Sequence, residues 1–343
     1  MQALVQAWNG RSGDTPNRLG QLLVTVLLPV SWLFAGAVAI RRELYRRGFY
    51  KQKTLPVPVI VVGNVMVGGV GKTPITMALV NHLKAQGLRV GVLSRGYGRK
   101  TSSTLAVSPK SQSLNVGDEP LLIARSCQVP VFVGNSRVDA GLALLSLHRD
   151  VQVLVCDDGL QHGPLARDLE LCVFDERGVG NGWLLPAGPL REPWPRPVDL
   201  LLHTGTPALA GGFQGQRQLA AWAVRADGER VALSSLQGQA VDAVAGLARP
   251  EAFFEMLRAA GLSLDHTHAL PDHADFADWP DTPLVRPLLC TEKDAAKLWQ
   301  RQPEALAVPL LLDIETPFWT ALDALLAERA GTPVSSAHGQ QTA

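Results

Sequence analysis

The spacing of apolar residues changes along the chain and predicts the order of its strands and helices. Short apolar runs bounded by turn residues are typical of buried strands, and longer amphipathic stretches are typical of helices. Strands are predicted at 57–64, 88–94, 129–134, 151–158, 169–176 and 198–205, with helices at 74–86 and 136–148. This alternation favours an α/β fold with a mostly parallel sheet flanked by helices.

A second group of elements follows after about residue 206, where the spacing becomes looser. It consists of elements at 240–248, 287–298 and 308–315, a helix at 250–261 and a last helix near 317–330. These elements predict a smaller C-terminal α/β lobe. Residues 183–197 contain five prolines and predict a long loop. A polar tail at 331–343 is predicted to be disordered.

An uncharged apolar segment of 22 residues runs from Leu19 to Ile40 near the start of the chain. As a helix it would be about 33 Å long, enough for a bilayer core. The apolar segment is followed by a basic stretch at 41–53 without a small-residue cleavage site, which disfavours a signal peptide. The positive charges of this stretch predict that the rest of the chain lies on the cytoplasmic side. Pro29 would kink a spanning helix or split it into interfacial pieces, so both membrane arrangements stay open. A buried hairpin of a soluble domain is the alternative.

Composition and charge exclude several classes of protein. Of 343 residues, 46% are hydrophobic and 18% charged, which excludes a disordered chain. The four cysteines lie far apart, so neither a disulfide framework nor a cysteine zinc site is predicted. The net charge of +1 divides into +6 for residues 1–53 and −5 for the remainder. There is no basic stripe with interleaved aromatics, so nucleic-acid binding is not predicted.

The strongest chemical signal is GNVMVGGVGKTP, residues 63–74, between a predicted strand and a predicted helix. This context is that of a phosphate-binding loop, in which glycines let backbone N–H groups surround phosphate oxygens. The lysine would reach the β- and γ-phosphates of ATP and the threonine would ligate Mg²⁺. The predicted nucleotide-binding residues are Met66, Val67, Gly68, Gly69, Val70, Gly71, Lys72 and Thr73. Met66 replaces the first glycine of the usual motif, and a glycine-rich turn with an incidental lysine is the alternative.

An acidic pair, Asp157 and Asp158, ends the predicted strand at 151–158. Open α/β sheets bind ligands at this end of their strands, and a carboxylate there is the expected partner of the nucleotide's Mg²⁺. We assign Asp157 to the metal and Asp158, with Lys72, to the catalytic group, although the pattern leaves open which aspartate ligates. Such a pair is otherwise commonly a turn or a helix cap.

A series of short motifs covers the chain from about residue 20 to 320. They are VGNVMVGGVGKTP (62–74), LSRGYGRK (93–100), GDEP (117–120), NSRVDA (135–140), DDGLQH (157–162), LPAGPLREP (185–193), VAGLARPEAFF (244–254), PDHADF (271–276) and TEKDAAKL (291–298). In this order they resemble the tetraacyldisaccharide 4′-kinase (lipid A 4′-kinase) family, whose loop does not require the first glycine. One departure is Gly163, where the resemblance leads us to expect a basic residue.

The resemblance implies a bacterial inner-membrane enzyme whose catalytic domain lies on the cytoplasmic side. With ATP and Mg²⁺ it would phosphorylate the 4′-hydroxyl of an acylated glucosamine disaccharide 1-phosphate. Its partners would be this lipid substrate and the inner membrane surface, with no obligate protein partner evident. A lipid acceptor also explains the apolar segment. The basic residues at 41–53 would meet anionic headgroups or the substrate phosphate, or would simply be positive-inside flanking charges.

The resemblance also implies roles for further residues. Asp118 would be the base that accepts the hydroxyl proton and His273 would orient it, so closure of two lobes is expected to bring them together. Arg137 would stabilise γ-phosphate charge, and Glu192 would support the metal or the acceptor. From the sequence alone, Asp118 is more simply a helix-start residue and His273 a surface residue. His162 is either a partner of the aspartate pair or a structural histidine.

These predictions divide the chain into four segments. They are a membrane-associated helix with its basic flank at 1–53, a P-loop NTPase-like kinase core at 54–205, a C-terminal lobe at 206–330 and the tail at 331–343. A membrane-tethered P-loop ATPase acting as a switch or scaffold is the alternative function, but it leaves Asp118 and His273 without a role. A cytosolic ligase or kinase whose N-terminal helix packs on the fold is another.

Overall fold

The computed structural model describes residues 2–9, 18–206 and 209–330, so the predicted tail lies outside the described residues. The helices are α1 Gln2–Asn9, α2 Arg18–Arg46, α3 Lys72–Ala85, α4 Ser113–Val116, α5 Asp118–Cys127, α6 Arg137–Leu147, α7 Pro250–Ala259, α8 Glu292–Leu298 and α9 Thr316–Ala330. The strands are β1 Val59–Gly63, β2 Val90–Ser94, β3 Leu105–Val107, β4 Val131–Val133, β5 Val153–Asp157, β6 Leu169–Asp175, β7 Leu200–Thr204, β8 Phe213–Leu219, β9 Trp222–Val224, β10 Arg230–Ala232, β11 Ala240–Gly246, β12 Ser263–Leu270, β13 Leu288–Thr291, β14 Leu306–Val308 and β15 Leu310–Ile314. A single 3₁₀ turn is described at Leu233–Leu236.

The described residues form two compact units that are interleaved along the chain. The first contains the described residues up to Arg95, those of Gly134–Gln216 and those from Ile314 onward. The second contains Gly96–Val133 and Arg217–Asp313. The predicted segments 54–205 and 206–330 are continuous, whereas the structure groups residues 96–133 with the later part of the chain. The hydrophobic spacing does not reveal that residues 96–133 belong to the second unit, because this segment has ordinary strand and helix patterns.

The first unit is built on parallel strands, as the sequence predicts. Strands β7, β6, β1, β5 and β2 pair in this order, with Val62 opposite Asp157 and Gly63 opposite Cys172. Every residue of β1, β2 and β5 is buried, which explains why these strands are continuous apolar runs. Their carboxyl ends meet at one edge of the sheet, so the residues that follow β1 and β5 are brought together.

Helix α2 extends from Arg18 to Arg46 without interruption, so Pro29 does not split it. Ser31 is buried on one side of the helix, where its hydroxyl donates to the carbonyl of Leu184 at 2.8 Å. On the other side, apolar residues three, four or seven positions apart are exposed: Leu19, Leu22, Val26, Val30, Leu33 and Ile40. By length and composition α2 is able to cross a membrane. Its two faces nevertheless differ, because one contacts the protein and the other does not.

The second unit has a six-stranded mixed sheet in the order β10-β9-β14-β13-β11-β12. Strands β12, β11, β13 and β14 are parallel, and β9 is antiparallel to β14 and β10. Strand β15 lies within the predicted element at 308–315, and Pro309, which lacks the N–H that a continuous ladder needs, separates it from β14. Strand β12 was not predicted, since it is a mostly exposed edge strand with several polar residues.

Candidate active site

The loop between β1 and α3 has the backbone of a phosphate-binding loop. Gly68 and Gly71 have φ angles of 89° and 77°, a left-handed region that glycine adopts without steric cost. Gly71 precedes α3, and no side chain among the described residues caps the first N–H groups of this helix. Met66 is fully buried and bridges to Leu190 of the facing loop. The replacement of the first glycine by Met66 therefore anchors the loop rather than opening it.

A second contact braces this loop from β6. Arg177 pairs with the buried carboxylate of Asp175 at 2.9 Å and donates a hydrogen bond to the carbonyl of Gly69 at 3.2 Å. Because Asp175 is at the end of β6, the sheet itself fixes the guanidinium. The glycine loop is consequently held at both its Met66 and its Gly69 positions.

Lys72 lies among groups from the ends of both β1 and β5. Its ammonium is 3.4 Å from Oδ1 of Asp158 and 3.2 Å from Oδ1 of Asn64. Arg191 contacts the same two side chains and is 3.2 Å from Oδ1 of Asp158. Burial tends to raise the pKa of Asp158, but the attraction of Lys72 and Arg191 outweighs it and lowers the pKa below its usual value. Asp158 is therefore a carboxylate between two cations.

Asp157 is buried against the helix that carries Thr73. Its Oδ1 accepts a hydrogen bond from the Thr76 hydroxyl at 2.9 Å. Thr73 and Thr76 are three residues apart on α3 and so lie on the same face of that helix. The arrangement brings Asp157 to the helix face where the Thr73 hydroxyl is expected to ligate a metal.

Glu192 joins the same network through Gln161. The Gln161 amide donates to Glu192 Oε1 at 2.6 Å and to the Asn64 carbonyl at 2.9 Å. Arg196 is the second partner of Glu192, at 3.4 Å. The hydrogen bonds thus connect Glu192 to Asn64 and, through it, to Lys72.

Arg137 and His162 lie beneath the end of β5. The guanidinium of Arg137 is buried and donates to main-chain carbonyls, including that of Asp158 at 3.4 Å. The backbone N–H of Arg137 donates to Nε2 of His162 at 3.3 Å. Burial above all, and then the positive charge of Arg137 and other arginines, lowers the pKa of His162 to about 4. The imidazole of His162 is therefore neutral, and its Nε2 accepts the hydrogen bond from the backbone N–H of Arg137.

The Asp118–His273 pair forms within the second unit. Asp118 is the first residue of α5, and its buried Oδ2 lies 2.9 Å from Nδ1 of His273 and 2.7 Å from Nζ of Lys297. The ring of His273 also contacts Tyr97, with 5.7 Å between ring centroids. The expectation that two lobes must close to make this pair is wrong, because both residues belong to one compact unit.

A cavity of about 940 Å³ lies between the end of α2 and the loops of the first unit. Its apolar wall includes Phe34, Val38 and Leu185. Its polar wall contains the charged residues Arg41, Arg42, Glu43, Arg46, Arg167, Glu170, Arg191, Glu192 and Arg196, an excess of three positive charges. The cavity fits an anionic, amphipathic molecule. Gly163 also lines it, and a Cβ there would lie 2.5 Å from the Tyr45 ring, which explains the glycine at this position.

The groups beside the glycine loop fit ATP and Mg²⁺. The loop offers backbone N–H groups and a lysine, and the hydroxyl and carboxylates of Thr73, Asp157 and Asp158 are ligands that Mg²⁺ prefers. The side-chain nitrogen of Asn64 is buried without a hydrogen-bond partner among the described residues, so a donor remains for an anionic ligand.

Sequence reasoning missed four residues of these clusters. Asn64, Arg191 and Lys297 lie in the quoted motifs and Arg177 directly follows the predicted strand at 169–176, yet no role was assigned to them. Arg191 directly precedes Glu192, and Lys297 is four residues after Lys293 on α8, so motif position alone was the available signal.

Comparisons with known proteins agree over most of the chain. A family model described as tetraacyldisaccharide-1-P 4′-kinase matches residues 23–329. The tetraacyldisaccharide 4′-kinase of Acidovorax sp. (strain JS42) is 56% identical over 308 residues, which are 89% of this chain and 91% of that protein. That of Polaromonas naphthalenivorans (strain CJ2) is 51% identical over 350 residues and covers 99% of both. The crystal structure of LpxK from Aquifex aeolicus in complex with ATP has a TM-score of 0.79 at 34% identity, covering 90% of this chain and 99% of that one.

Proposed function

This chain belongs to the tetraacyldisaccharide 4′-kinase family, and on that premise we propose how its residues carry out the reaction. The enzyme phosphorylates the 4′ position of a lipid A precursor with ATP. The bond between the γ-phosphorus and its bridging oxygen breaks, a bond to the 4′ oxygen forms, and the hydroxyl proton passes to a base. The chain must therefore hold the phosphates, offset their charge and accept one proton.

The first unit holds the nucleotide. The N–H of Val67 donates to the carbonyl of Pro189, so the backbone N–H groups of the glycines that follow it would meet the phosphates, and Lys72 would leave Asp158 to meet the β- and γ-phosphates. Thr73, Asp157 and Glu192 are the residues that would hold Mg²⁺, which supplies positive charge to the β- and γ-oxygens. Arg191, already beside Asp158, is placed to offset charge on the transferred group.

The second unit supplies the base. Asp118 accepts the proton of the acceptor hydroxyl, and His273 holds its carboxylate through the bond at 2.9 Å. Proton transfer to a positioned carboxylate assists attack by a sugar hydroxyl, which is a poor nucleophile while it keeps its proton. Arg137, whose guanidinium donates to the main-chain carbonyls of Gly134, Asn135 and Asp158, acts by supporting Asp158 and the charge near the γ-phosphate.

The cavity beside α2 takes the acceptor. A phosphorylated glycolipid has acyl chains for the wall that contains Phe34 and Val38, and phosphate and sugar groups for the arginine-rich wall. Since Glu192 and Arg191 line this cavity and also belong to the nucleotide cluster, the lipid would meet the phosphates at this place.

Helix α2 lies in the surface of the bacterial inner membrane, with the catalytic domain on the cytoplasmic side, where ATP is present. If α2 crossed the bilayer, the irregular loop that carries Leu184 would enter the hydrocarbon with it, because Ser31 is bonded to that loop. Irregular backbone exposed to lipid leaves polar groups unsatisfied and does not occur at that depth. The exposed apolar face instead suits an interfacial helix.

The meeting of Lys72, Asp158 and Arg191 beside the glycine loop carries this proposal. The test incubates the protein with ATP, Mg²⁺ and the lipid disaccharide 1-phosphate in detergent and follows the bis-phosphorylated product. We expect Lys72→Ala to abolish product formation and Thr73→Ala to raise the Mg²⁺ concentration required. Lys84→Ala, on the exposed end of the same helix, is the matched control and keeps wild-type turnover.

Two results would contradict the proposal. Near-wild-type turnover of Lys72→Ala would remove the phosphate-loop assignment. ATP consumption by the wild type that does not depend on the lipid would instead favour a membrane-tethered ATPase.

A further inference from the structure

Two lysines of α8 reach the loop that carries His273. Lys293 and Lys297 are four residues apart and so lie on one face of the helix. Lys293 is 2.7 Å from Oδ1 of Asp272, an exposed carboxylate. The partly buried ammonium of Lys297 donates to Oδ2 of Asp118 at 2.7 Å. The two lysines therefore share a loop, but only Lys297 contacts Asp118.

Lys297 also binds the backbone of this loop. Its ammonium is 3.0 Å from the carbonyl of Ala274 and 3.4 Å from the carbonyl of His273. With the Asp118 contact these acceptors account for the three protons of an ammonium group. The lysine thus connects the proposed base to the backbone of the residue that orients it.

The loop is strained at the position that Lys297 holds. His273 has a φ angle of 63° and Phe276 one of 59°, a region that residues with a side chain seldom adopt. Such conformations persist only where the surroundings fix them. Phe276 is fixed by burial in the core of the second unit, whereas His273 is partly exposed. The contacts of Lys297 to the carbonyls of 273 and 274 supply the missing constraint.

Helix α8 is itself fastened, so Lys297 has a rigid base. Thr291 caps the helix by accepting from the N–H of Asp294, and the Asp294 carboxylate accepts from the N–H of Gly246 at 2.9 Å. These buried contacts join the start of α8 to the end of β11. Movement of the helix, and with it of Lys297, would require this junction to break.

We propose that Lys297 is a positioning residue of the phosphoryl transfer, which holds the His273 loop and keeps Asp118 ionised. The inference rests on the proposed function, in which Asp118 accepts the acceptor's hydroxyl proton as the phosphorus–oxygen bond forms. An ionised carboxylate is able to accept that proton, and a protonated one is not. Lys297 touches neither the substrate nor the phosphates in this role.

The charge environment of Asp118 gives the expected direction of the effect. Burial raises its pKa, but hydrogen bonds from His273 and Lys297 and the charge of Lys297 outweigh burial, so the pKa lies below its usual value. Removing the ammonium of Lys297 removes one of the groups that lower the pKa of Asp118, so that pKa rises. The acidic limb of the rate profile then moves to higher pH, because the base is protonated over a wider range.

The experiment compares Lys297→Met, Lys297→Gln, Lys297→Arg and the matched control Lys293→Met. It measures kcat against pH at saturating ATP and lipid, KM for ATP, and Tm. We expect Lys297→Met to lower kcat at least about tenfold at neutral pH, within the range of general-base catalysis, and to move the acidic limb upward with KM for ATP unchanged. Lys297→Gln gives the same displacement if Lys297→Met fails to fold. In Lys297→Arg the acidic limb of the kcat profile stays at its wild-type pH, because the positive charge is kept. Lys293→Met does not displace this limb either.

The outcomes separate this inference from the proposed function. A wild-type acidic limb in Lys297→Met and Lys297→Gln, together with loss of turnover in Asp118→Ala, overturns the inference and leaves the base assignment intact. Equal losses in Lys293→Met and Lys297→Met that follow Tm overturn it as well, since they indicate a purely structural role. Full turnover of Asp118→Ala removes the base assignment itself.

Discussion

At the scale of single residues, the proposed role of Asp118 as the base depends on its hydrogen bond to His273. The carboxylate is buried at the start of α5 and binds the imidazole at 2.9 Å, and both residues belong to the second unit. In the proposed mechanism the pair acts in the chemical step and does not bind ATP. The pair should accordingly behave as one catalytic group.

Asp118→Ala is expected to lower kcat by about 10²–10⁴-fold, with little change in the affinity for ATP. His273→Ala acts on the same step, and residues that act as a unit are non-additive. The double variant Asp118→Ala/His273→Ala should cost little more than the worse single change. Steady-state kinetics, ATP titration and Tm of the three variants check this. Multiplicative losses in kcat, or losses that follow Tm, would remove the pair from the mechanism.

The sequence allowed some of these residues to be found and not others. Lys72, Thr73 and Asp158 were predictable, because a glycine loop and an acidic strand end are local patterns that β1 and β5 bring together. Asp118 and His273 were found only through a family resemblance, since 155 positions separate them. Lys297 was missed, because its partner is 179 positions away and a lysine on a short helix is usually a solvated residue.

At the scale of elements, α8 combines a buried acid with the lysine that contacts Asp118. Glu292, its first residue, is partly buried in the second unit. Burial raises the pKa of Glu292 to about 7, because its effect is larger than that of the hydrogen bond with Ser126, which lowers the pKa. A carboxyl group whose pKa is raised in the folded state stabilises the fold below its unfolded value of 4.5, and this stability is lost as the pH rises through about 7.

Glu292→Gln should therefore raise Tm by a few degrees above pH 7 and change it little below pH 4.5. The glutamine keeps the shape of the side chain and removes the charge that the buried site disfavours. Tm measured from pH 4 to 9 tests the prediction, with the exposed Glu255→Gln of α7 as the control. A constant difference between Glu292→Gln and wild type at every pH would contradict it.

The outer face of α2 gives a second prediction at this scale. Leu22 and Leu33 are exposed by 62% and 77%, and each would bury its side chain in the membrane. A leucine contributes about 2 kcal/mol when fully buried, so burial of the exposed fractions of these two side chains contributes about 3 kcal/mol. Leu22→Ser/Leu33→Ser should therefore weaken binding to anionic vesicles about 100-fold. Activity on lipid dispersed in detergent should remain, because neither residue lines the cavity. Val285→Ser, at an apolar residue exposed by 92% in the second unit, is the control.

Vesicle flotation and the detergent assay measure these two properties separately. Unchanged flotation of the double variant would place the membrane contact elsewhere on the protein.

The helices and strands themselves were largely predictable from the sequence, because α2, α3 and the parallel strands have strong apolar periodicity. Strands β9, β10 and β12 were not, because short or exposed strands bury too few side chains to leave a pattern.

At the scale of the whole molecule, the chain leaves its first unit after Arg95, returns at Gly134, leaves again after Gln216 and returns at Ile314. Neither unit is therefore a continuous stretch that ends at a linker. The predicted boundary near 205 followed a change in apolar spacing, whereas the compact units follow contacts between distant residues. For this reason the proposed base and its partner could lie in one unit although the sequence assigned them to two segments.

The position of α2 has a practical consequence for anyone who wishes to make this enzyme soluble. Phe34, Val38 and Arg41 of this helix line the cavity, and Arg41 donates to the carbonyl of Gln161, whose amide contacts Glu192. Truncation of α2 would remove a wall of the cavity and the hydrogen bond from Arg41 to Gln161. Shortened or tagged versions of the protein should therefore keep α2 and be tested for turnover. Solubility is better improved by substituting polar residues for the exposed apolar residues of this helix.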